Sequence, residues 1–318
     1  MNFIKMYRGA VLFRSQTCAA GLVLILIVAT SLETVAQSES SKKKNSVVAK
    51  NNILIKAGSG YAFTEGPAVD AVGNVFFTDQ PNDKIYKWTT DGKVSLYMEG
   101  AGRSNGLYVD KHGNLVSCAD QENQLWEINK DKKVNVLVKD FQGKKLNGPN
   151  DLWIDSKGGV YFTDPFYKRD YWTRTEKEIE SENVYYLSPD RKTLTVAATD
   201  FVRPNGIVGS GDGKRLFVAD INDSKTYVFS IQSDGSLSNR QIFTNMGSDG
   251  MTTDIKGNIY LTGKGVTVFN ADGQQIEHIE IPESWTANVC FGGKGRNTLF
   301  ITASKSIYTL GMSVRGVK

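Results

Sequence analysis

The sequence predicts an all-β fold built from six similar units, and three observations support this expectation. A short pattern, an Asp/Gly turn followed by a strand of aromatic and β-branched residues, occurs six times. A second strand pattern follows each copy, so two features of the sequence recur together in every repeat. The central glycines lie about 40 to 55 residues apart, which is the length of four short strands with their turns. A sandwich would not explain this recurrence, so the sequence predicts a six-bladed β-propeller.

The repeats follow one another along the chain with both halves in register. The turn-and-strand copies are DAVGNVFFTD at Asp70, DKHGNLVSCAD at Asp110, DSKGGVYFTDP at Asp155, GSGDGKRLFVAD at Gly209, DIKGNIYLTG at Asp254 and GGKGRNTLFITA at Gly292. The partner strands begin at Lys84, Gln124, Asn183, Lys225, Gly265 and Ser306. We expect the N-terminal stretch NNILIKAG, 51–58, to complete the blade begun by the C-terminal strands, because ring closure leaves no open sheet edge.

One repeat interval is longer than the others and contains PFYKRDYWTRTEKEIESEN, 165–183. An insertion of this kind is consistent with a lid over one face of the ring and equally with a solvated loop. Its aromatic residues Phe166, Tyr167, Tyr171 and Trp172 would stack on a substrate or pack the insertion itself.

The N-terminal segment has the features of a secretory signal peptide. Three basic residues precede the apolar run AAGLVLILIVATSL, 19–32, and the small-residue pattern TVA ends at Ala36. The sequence therefore predicts a signal peptide over 1–36, a polar linker over 37–50 and a propeller domain over 51–318. We expect an exported protein, periplasmic or secreted. An uncleaved membrane anchor is the alternative, although the apolar run is shorter than the ~20 residues that span a bilayer.

Charge and cysteine content limit the classes of partner. The formal net charge of +4 becomes +2 when the three basic residues and one glutamate of the predicted signal peptide are removed, and nothing indicates nucleic-acid binding. We expect a small-molecule substrate, membrane contact only through the signal peptide, and no obligate protein partner. Cys118 and Cys290 lie in apolar strand patterns, which favours two buried free thiols over one disulfide.

A polar side chain stands just before the inner strand of each predicted blade. Because these approach segments converge at one end of the central channel, we expect their side chains to meet there. They are Glu65, Asn105, Asn150, Asn205, Asp249 and Asn288. Two buried carboxylates among amide oxygens are costly without a partner, and a hard divalent cation removes that cost. Oxygen ligands favour Ca²⁺, with Mg²⁺, Mn²⁺ and Zn²⁺ as alternatives, while two histidines in the whole chain are too few for a histidine-based metal site.

Asparagine and aspartate beside glycine are also ordinary turn residues, so each position alone is weak evidence. The prediction rests on the six residues taken together. A polar residue occurs at the same position in successive repeats, and Glu65 is not a favoured turn residue.

These motifs resemble those of the senescence marker protein (regucalcin)/gluconolactonase family from about Asn51 to the C-terminus. The matching pieces are EGP at Glu65, NGPND at Asn150, YFTDP at Asp164, RPNGI at Asn205, SDGM at Asp249 and NVCFGG at Asn288. The resemblance implies a six-bladed propeller with one catalytic divalent metal ion that hydrolyses sugar lactones. It implies metal-site roles for Glu65, Asn150, Asn205 and Asp249, with Asn150 the residue that most readily exchanges metal contact for water or substrate. It further implies an acid/base role for Asp249 and substrate contacts for Arg103 and Asn105.

A mechanism of metal polarisation of the lactone carbonyl and carboxylate-assisted attack of water follows from this resemblance. The main alternative is a non-catalytic propeller that uses its metal for structure and one face for binding. Two related enzyme classes fit less well: the paraoxonase type resembles a histidine-assisted site, and the strictosidine synthase type lacks a glutamate motif that can be placed here.

Overall fold

The computed structural model describes residues 46–317, which form six four-stranded antiparallel sheets, and the inner strands of these sheets contact one another in ring order. The predicted all-β, six-bladed propeller is confirmed. The predicted signal peptide 1–36 and most of the predicted linker 37–50 lie outside the described residues. Over the part of the chain that is described, no helix has the length and apolar character needed to cross a membrane.

Each blade runs from an inner strand at the channel to an outer strand at the periphery. The first three blades are β2 Thr64–Val69, β3 Val75–Asp79, β4 Lys84–Trp88 and β5 Val94–Glu99; β6 Ser104–Val109, β7 Leu115–Ala119, β8 Gln124–Ile128 and β9 Val134–Val138; and β10 Leu152–Ile154, β11 Val160–Asp164, β12 Glu182–Leu187 and β13 Leu194–Phe201. The next two are β14 Pro204–Gly209, β15 Arg215–Asp220, β16 Lys225–Ile231 and β17 Leu237–Thr244; and β18 Met251–Thr253, β19 Ile259–Gly263, β20 Gly265–Phe269 and β21 Gln275–Ile279. A short 3₁₀ helix, Gln80–Asn82, follows β3.

The sixth blade joins both ends of the chain. It contains β22 Asn288–Gly292, β23 Thr298–Ala303 and β24 Ser306–Gly311, with β1 Ile55–Ser59 as its outer strand. Ile55 pairs antiparallel with Thr309, as the predicted closure by the N-terminal strand requires. Val47, which the sequence assigns to the linker, is buried against this blade, and Val48 forms an isolated bridge with Met312. The packed body therefore begins a few residues before position 51.

Burial decreases from the channel to the periphery, which explains the composition of the strands. The second strand of the first blade, β3 (VFFTD), is buried throughout, whereas its outer strand β5 consists only of exposed and half-buried residues. A sheet covered on both faces reads as an apolar run, and a sheet edge open to water does not. The cores lie between adjacent blades, as where Phe77 of the first blade packs on Phe300 of the sixth.

The Asp/Gly turn that marks each repeat connects the inner strand to the second strand. In the first blade, Asp70 Oδ1 accepts hydrogen bonds from the amides of Val72 and Asn74, at 3.0 and 2.9 Å. Gly73 completes this turn at φ = 99°, and a Cβ there would lie 2.2 Å from the carbonyl oxygen of Gly293. Glycine is therefore required both by conformation and by the close approach of the sixth blade.

Threonines of the second strands fix the channel ends of neighbouring blades. Thr78 Oγ1 donates to the carbonyl of Asn105 at 3.1 Å, and Thr163 Oγ1 donates to the carbonyl of Asn205 at 2.8 Å. Thr262 Oγ1 makes the same bond to the carbonyl of Ala287 at 2.7 Å. These bonds cross from the first blade to the second, the third to the fourth and the fifth to the sixth, so they hold the polar approach residues in place.

The two cysteines of the described chain are buried free thiols, as predicted. Burial raises the pKa of both Cys118 and Cys290. Neither is therefore a reactive thiolate at neutral pH.

Candidate metal and catalytic site

The six predicted approach residues lie where the inner strands begin, at one end of the channel. Five of them are at least 94% buried, with exposed fractions of 5% for Glu65, 4% for Asn105, 6% for Asn150, 2% for Asn205 and 5% for Asn288. Asp249 is partly exposed. It is therefore the member of the set most open to a substrate.

One part of the site is a hydrogen-bonded group around Asp249. Asn205 Nδ2 donates to Asp249 Oδ1 at 2.9 Å, and the indole Nε1 of Trp285 donates to Asp249 Oδ2 at 2.5 Å. Both carboxylate oxygens are thus held by a donor, which fixes the orientation of the carboxylate. Gly206, next to Asn205, lies close to the carbonyl of Asp249, where a Cβ would come within 2.9 Å.

A second part of the site joins Glu65 and Asp151 through Asn288. The amide Nδ2 of Asn288 lies 3.4 Å from Glu65 Oε2 and 3.3 Å from Asp151 Oδ2, within hydrogen-bonding range of both. Each of these three side chains also accepts the main-chain N–H of the residue that follows it, at 2.8 to 2.9 Å. The carboxylates and the amide are therefore locked by their own strands.

Burial raises the pKa of all three carboxyl groups. The pKa of Glu65 lies well above its usual range, because of burial and then the charge of Asp249. Burial raises the pKa of Asp151 to about 7 and that of Asp249 to about 6, and the donors from Trp285 and Asn205 oppose the rise at Asp249. Three carboxyl groups that share a buried space in this way disfavour ionisation of one another unless a cation compensates them.

The side-chain oxygens of two asparagines indicate that the residues present fit such a cation. Asn105 Oδ1 and Asn205 Oδ1 are buried and have no hydrogen-bond partner within residues 46–317. A buried amide oxygen without a donor is costly, and a hard cation is the partner that amide and carboxylate oxygens share. No group of three or more His, Cys, Asp or Glu side chains in the described chain has the arrangement of a metal site. The donor set that fits a cation therefore mixes carboxylates with asparagine oxygens.

The remaining predicted residues lie at the border of this cluster. Asn150 is fixed through its main chain, which accepts from Gly106 N at 2.7 Å and donates to the carbonyl of Thr163 at 2.9 Å. The guanidinium of Arg103 donates to the carbonyl of Pro81 and lies 4.4 Å from the ring centre of Tyr171 in the insertion. The predicted roles of all these residues as ligands, acid/base or substrate contacts stay predictions.

The insertion 165–183 lies over this end of the channel and is attached through Asp120. Asp120 Oδ2 accepts a hydrogen bond from Arg169 Nε at 3.0 Å and another from the hydroxyl of Tyr171. The carbonyl of Asp120 accepts from Trp172 Nε1 at 2.8 Å. The hydroxyl of Tyr167 accepts from Asn205 Nδ2 at 3.0 Å. Of the two readings left open by the sequence, these contacts favour a lid, because they join the insertion to the candidate site.

A cavity of about 950 Å³ follows the channel on the other side of the cluster. Asp151 and Asn288 border it at one end, and turn residues such as Asp110 and Asp155 border it at the other. The candidate site thus lies between this cavity and the insertion.

The chain matches the SMP-30/Gluconolactonase/LRE-like region over residues 63–305. It belongs to the SMP-30/gluconolactonase/LRE-like family. A gluconolactonase from Zymomonas mobilis is 30% identical over 280 residues, which cover 78% of each chain. A gluconolactonase structure from Xanthomonas campestris has 28% identity and a TM-score of 0.78, covering 84% of this chain and 91% of that one.

A solved structure of more distant sequence shares the fold. The structure of regucalcin from Agrobacterium tumefaciens, described as a calcium-binding protein, has 18% identity and a TM-score of 0.69, covering 85% of this chain and 95% of that one. The family match confirms the resemblance predicted from the motifs. The gluconolactonase relatives confirm the predicted enzyme class, a lactone hydrolase.

Three residues of the site were not singled out by the sequence. Asp151 directly follows Asn150 in NGPND, and the acidic residue in that motif was an available signal. Trp285 lies three residues before Asn288, so its position in the approach segment was visible while its bond to Asp249 was not. Asp120 ends the second copy of the repeat, and nothing in the sequence connects it to an insertion some 50 residues later.

Proposed function

We propose that this family member is a metal-dependent hydrolase that opens sugar lactones, with Glu65, Asn150, Asn205 and Asp249 as the residues that hold one divalent cation. The observation that carries the proposal is the buried, unpartnered oxygen of Asn205, which belongs to the same hydrogen-bonded group as the Asp249 carboxylate. The gluconolactonases among its relatives support the substrate class.

Calcium is the cation we propose, because every candidate donor is a carboxylate or amide oxygen. Mg²⁺, Mn²⁺ and Zn²⁺ are the competitors in the test. When bound, the cation would supply Lewis-acid polarisation of the lactone carbonyl and charge compensation for its oxygen.

The protein residues would move the protons. Asp249 accepts a proton from the attacking water, whose oxygen forms a bond to the carbonyl carbon. The bond between that carbon and the ring oxygen then breaks, and Asp249 returns the proton to the departing ring oxygen, which gives a hydroxy acid. The donors from Asn205 and Trp285 orient the Asp249 carboxylate for both transfers. Asn105 and Asn150 are the proposed polar contacts to the sugar, with Arg103 the third predicted contact.

The test is hydrolysis of a panel of aldonolactones by chelator-treated protein, titrated with each of the four cations. We expect activity to return with one cation and to be lost in Asp249→Asn, while Asp131→Asn, which alters an exposed carboxylate, keeps it. A protein that binds the cation and opens no lactone would contradict the proposal and favour the binding-module alternative.

We also propose that residues 1–36 direct export to the periplasm or the medium. The support is the basic segment, apolar run and small-residue pattern of the sequence. N-terminal sequencing of the protein recovered from cell fractions tests this: a mature chain that begins at Gln37 outside the cytoplasm is expected, and a full-length chain in the cytoplasm would contradict it.

A further inference from the structure

Two arginines flank one aromatic ring of the insertion beside the candidate site. The ring centre of Tyr167 lies 5.4 Å from the guanidinium carbon of Arg169 and 4.9 Å from that of Arg203. Arg169 comes from the insertion, whereas Arg203 immediately precedes the inner strand β14. Cation–π contact of this kind orients a guanidinium while leaving its N–H donors at the edge available.

This group is directly connected to the candidate acid/base. Tyr167 and Asp249 are the two partners of Asn205 Nδ2, at 3.0 and 2.9 Å. Arg169 is near enough that its charge lowers the pKa of Asp249. A substrate whose carbonyl lies at Asp249 therefore has both guanidinium groups within reach of its substituents.

Neither guanidinium is fully used by the protein. Arg169 donates its Nε to Asp120, and no hydrogen bond of its two terminal nitrogens occurs among the residues described. Arg203 Nε is buried and lies 3.9 Å from Glu182 Oε2, an ion pair without a hydrogen bond, while Lys177 binds Glu182 Oε1 at 2.6 Å. The terminal nitrogens of Arg203 likewise make no hydrogen bond within residues 46–317. The side chains are 24% and 32% exposed, so both can reach a ligand.

Arg203 contacts the insertion through Tyr167 and Glu182, but neither contact uses a hydrogen bond from its terminal nitrogens. Asp120 accepts hydrogen bonds from Arg169 and Tyr171, and these bonds attach the insertion independently of Arg203. The terminal N–H groups of both guanidiniums are therefore available to a ligand that accepts hydrogen bonds. Guanidinium forks match carboxylate and phosphate oxygens in geometry and charge.

We propose that Arg169 and Arg203 bind an anionic substituent of the substrate, a carboxylate or a phosphate, and make the enzyme selective for acidic lactones. This inference rests on the proposed lactone hydrolysis and adds the substrate class. The arginines determine specificity, and the bond-breaking chemistry remains with Asp249.

The experiment compares kcat/KM of the full chain, at saturating cation, for three matched substrates: a neutral aldonolactone, the corresponding lactone with a terminal carboxylate, and the lactone phosphorylated at its terminal hydroxyl. The wild type should prefer one acidic lactone over the neutral one by about tenfold or more. The preferred substrate shows whether the arginines bind a carboxylate or a phosphate. Arg203→Met should lower that preference by about tenfold to 100-fold, since hydrogen bonds to charged groups have this weight.

Arg169→Met repeats the test from a different element and should lower the same ratio. Arg240→Met is the matched control, because Arg240 is also stacked on aromatic rings, at 4.6 Å from Phe201 and 3.9 Å from Tyr227, but lies on the outer strand β17. It should leave the ratio unchanged. Melting temperatures of each variant separate loss of folding from loss of preference.

A wild type that opens neutral and acidic lactones equally, or an Arg203→Met variant with an unchanged ratio, overturns the inference and leaves the proposed function intact. Hydrolysis of none of the three lactones contradicts the proposed function itself.

Discussion

Raising the pH should destabilise the metal-free protein, because the buried carboxyl group of Asp151 must release a proton that it holds in the folded state. Burial raises the pKa of Asp151 to about 7, whereas an aspartate in an unfolded chain has a pKa of ~3.9. Between these values the folded protein binds more protons than the unfolded chain, so the free energy of unfolding falls as the pH rises. One carboxyl group with these two pKa values lowers it by roughly 2.5 kcal/mol between about pH 5 and pH 8.

The assay is urea unfolding of chelator-treated protein, followed by tryptophan fluorescence at several pH values. Asp151→Asn has no such proton to release, so its loss of stability over this pH range should be roughly 2.5 kcal/mol smaller than that of the wild type. Asp131→Asn removes an exposed carboxylate and should follow the wild type. Equal pH slopes for the wild type and Asp151→Asn, or a wild-type stability that increases with pH, would refute the reasoning.

Three further predictions concern other contacts of the site. Thr163→Val leaves the buried carbonyl of Asn205 without its donor and should lower the free energy of unfolding by about 1–3 kcal/mol; a calorimetric melting temperature equal to that of the wild type would contradict it. Trp285→Phe removes a donor to Asp249 and should lower kcat for lactone hydrolysis about tenfold to 100-fold at saturating cation, with Trp153→Phe, on the cavity side, as the comparison. Asp120→Asn weakens the attachment of the insertion, so limited proteolysis followed by mass spectrometry should find faster cleavage within 165–183; unchanged cleavage would show that Asp120 is not its anchor.

The architecture was predictable because its causes are local. The turn at Asp70 is made by contacts within five residues, and the same turn chemistry recurs in most blades. A repeat that cannot bury its own faces must stack on its neighbours, so the number of repeats also fixes the number of blades. Closure by β1 followed from the same reasoning and needed no information about individual contacts.

The inward position of Asp151 could not be obtained from the repeat alone. The pairing of the inner strand with its neighbour shifts register near Glu65, near Ser104 and near Pro204, whereas β10 pairs regularly from Leu152 to Ile154. Because side chains alternate with a period of two, a single-residue shift exchanges the residue that faces the channel. The motif NGPND therefore offers two candidates, and only the strand register distinguishes them.

The contacts of the insertion were unpredictable for a different reason. Residues 165–181 have no regular strand or helix, so no periodicity indicates which side chains face the ring. Arg103 illustrates the consequence: it was predicted as a substrate contact, and its guanidinium is stacked on Tyr171 of the insertion.

The sixth blade contains strands from both ends of the chain, so the ring can close only late in folding. Blades one to five are built from neighbouring strands and can form as the chain is synthesised, but β1 must wait for β24 at the opposite end. Bringing Ile55 to Thr309 closes a loop on the order of 250 residues, at an entropic cost of about 5 kcal/mol. Until then, β1 and the outer edge of β24 are unpaired, and each is a surface on which a second nascent chain can pair. The contact that finally closes the propeller is thus also the one most exposed to exchange between two copies during folding.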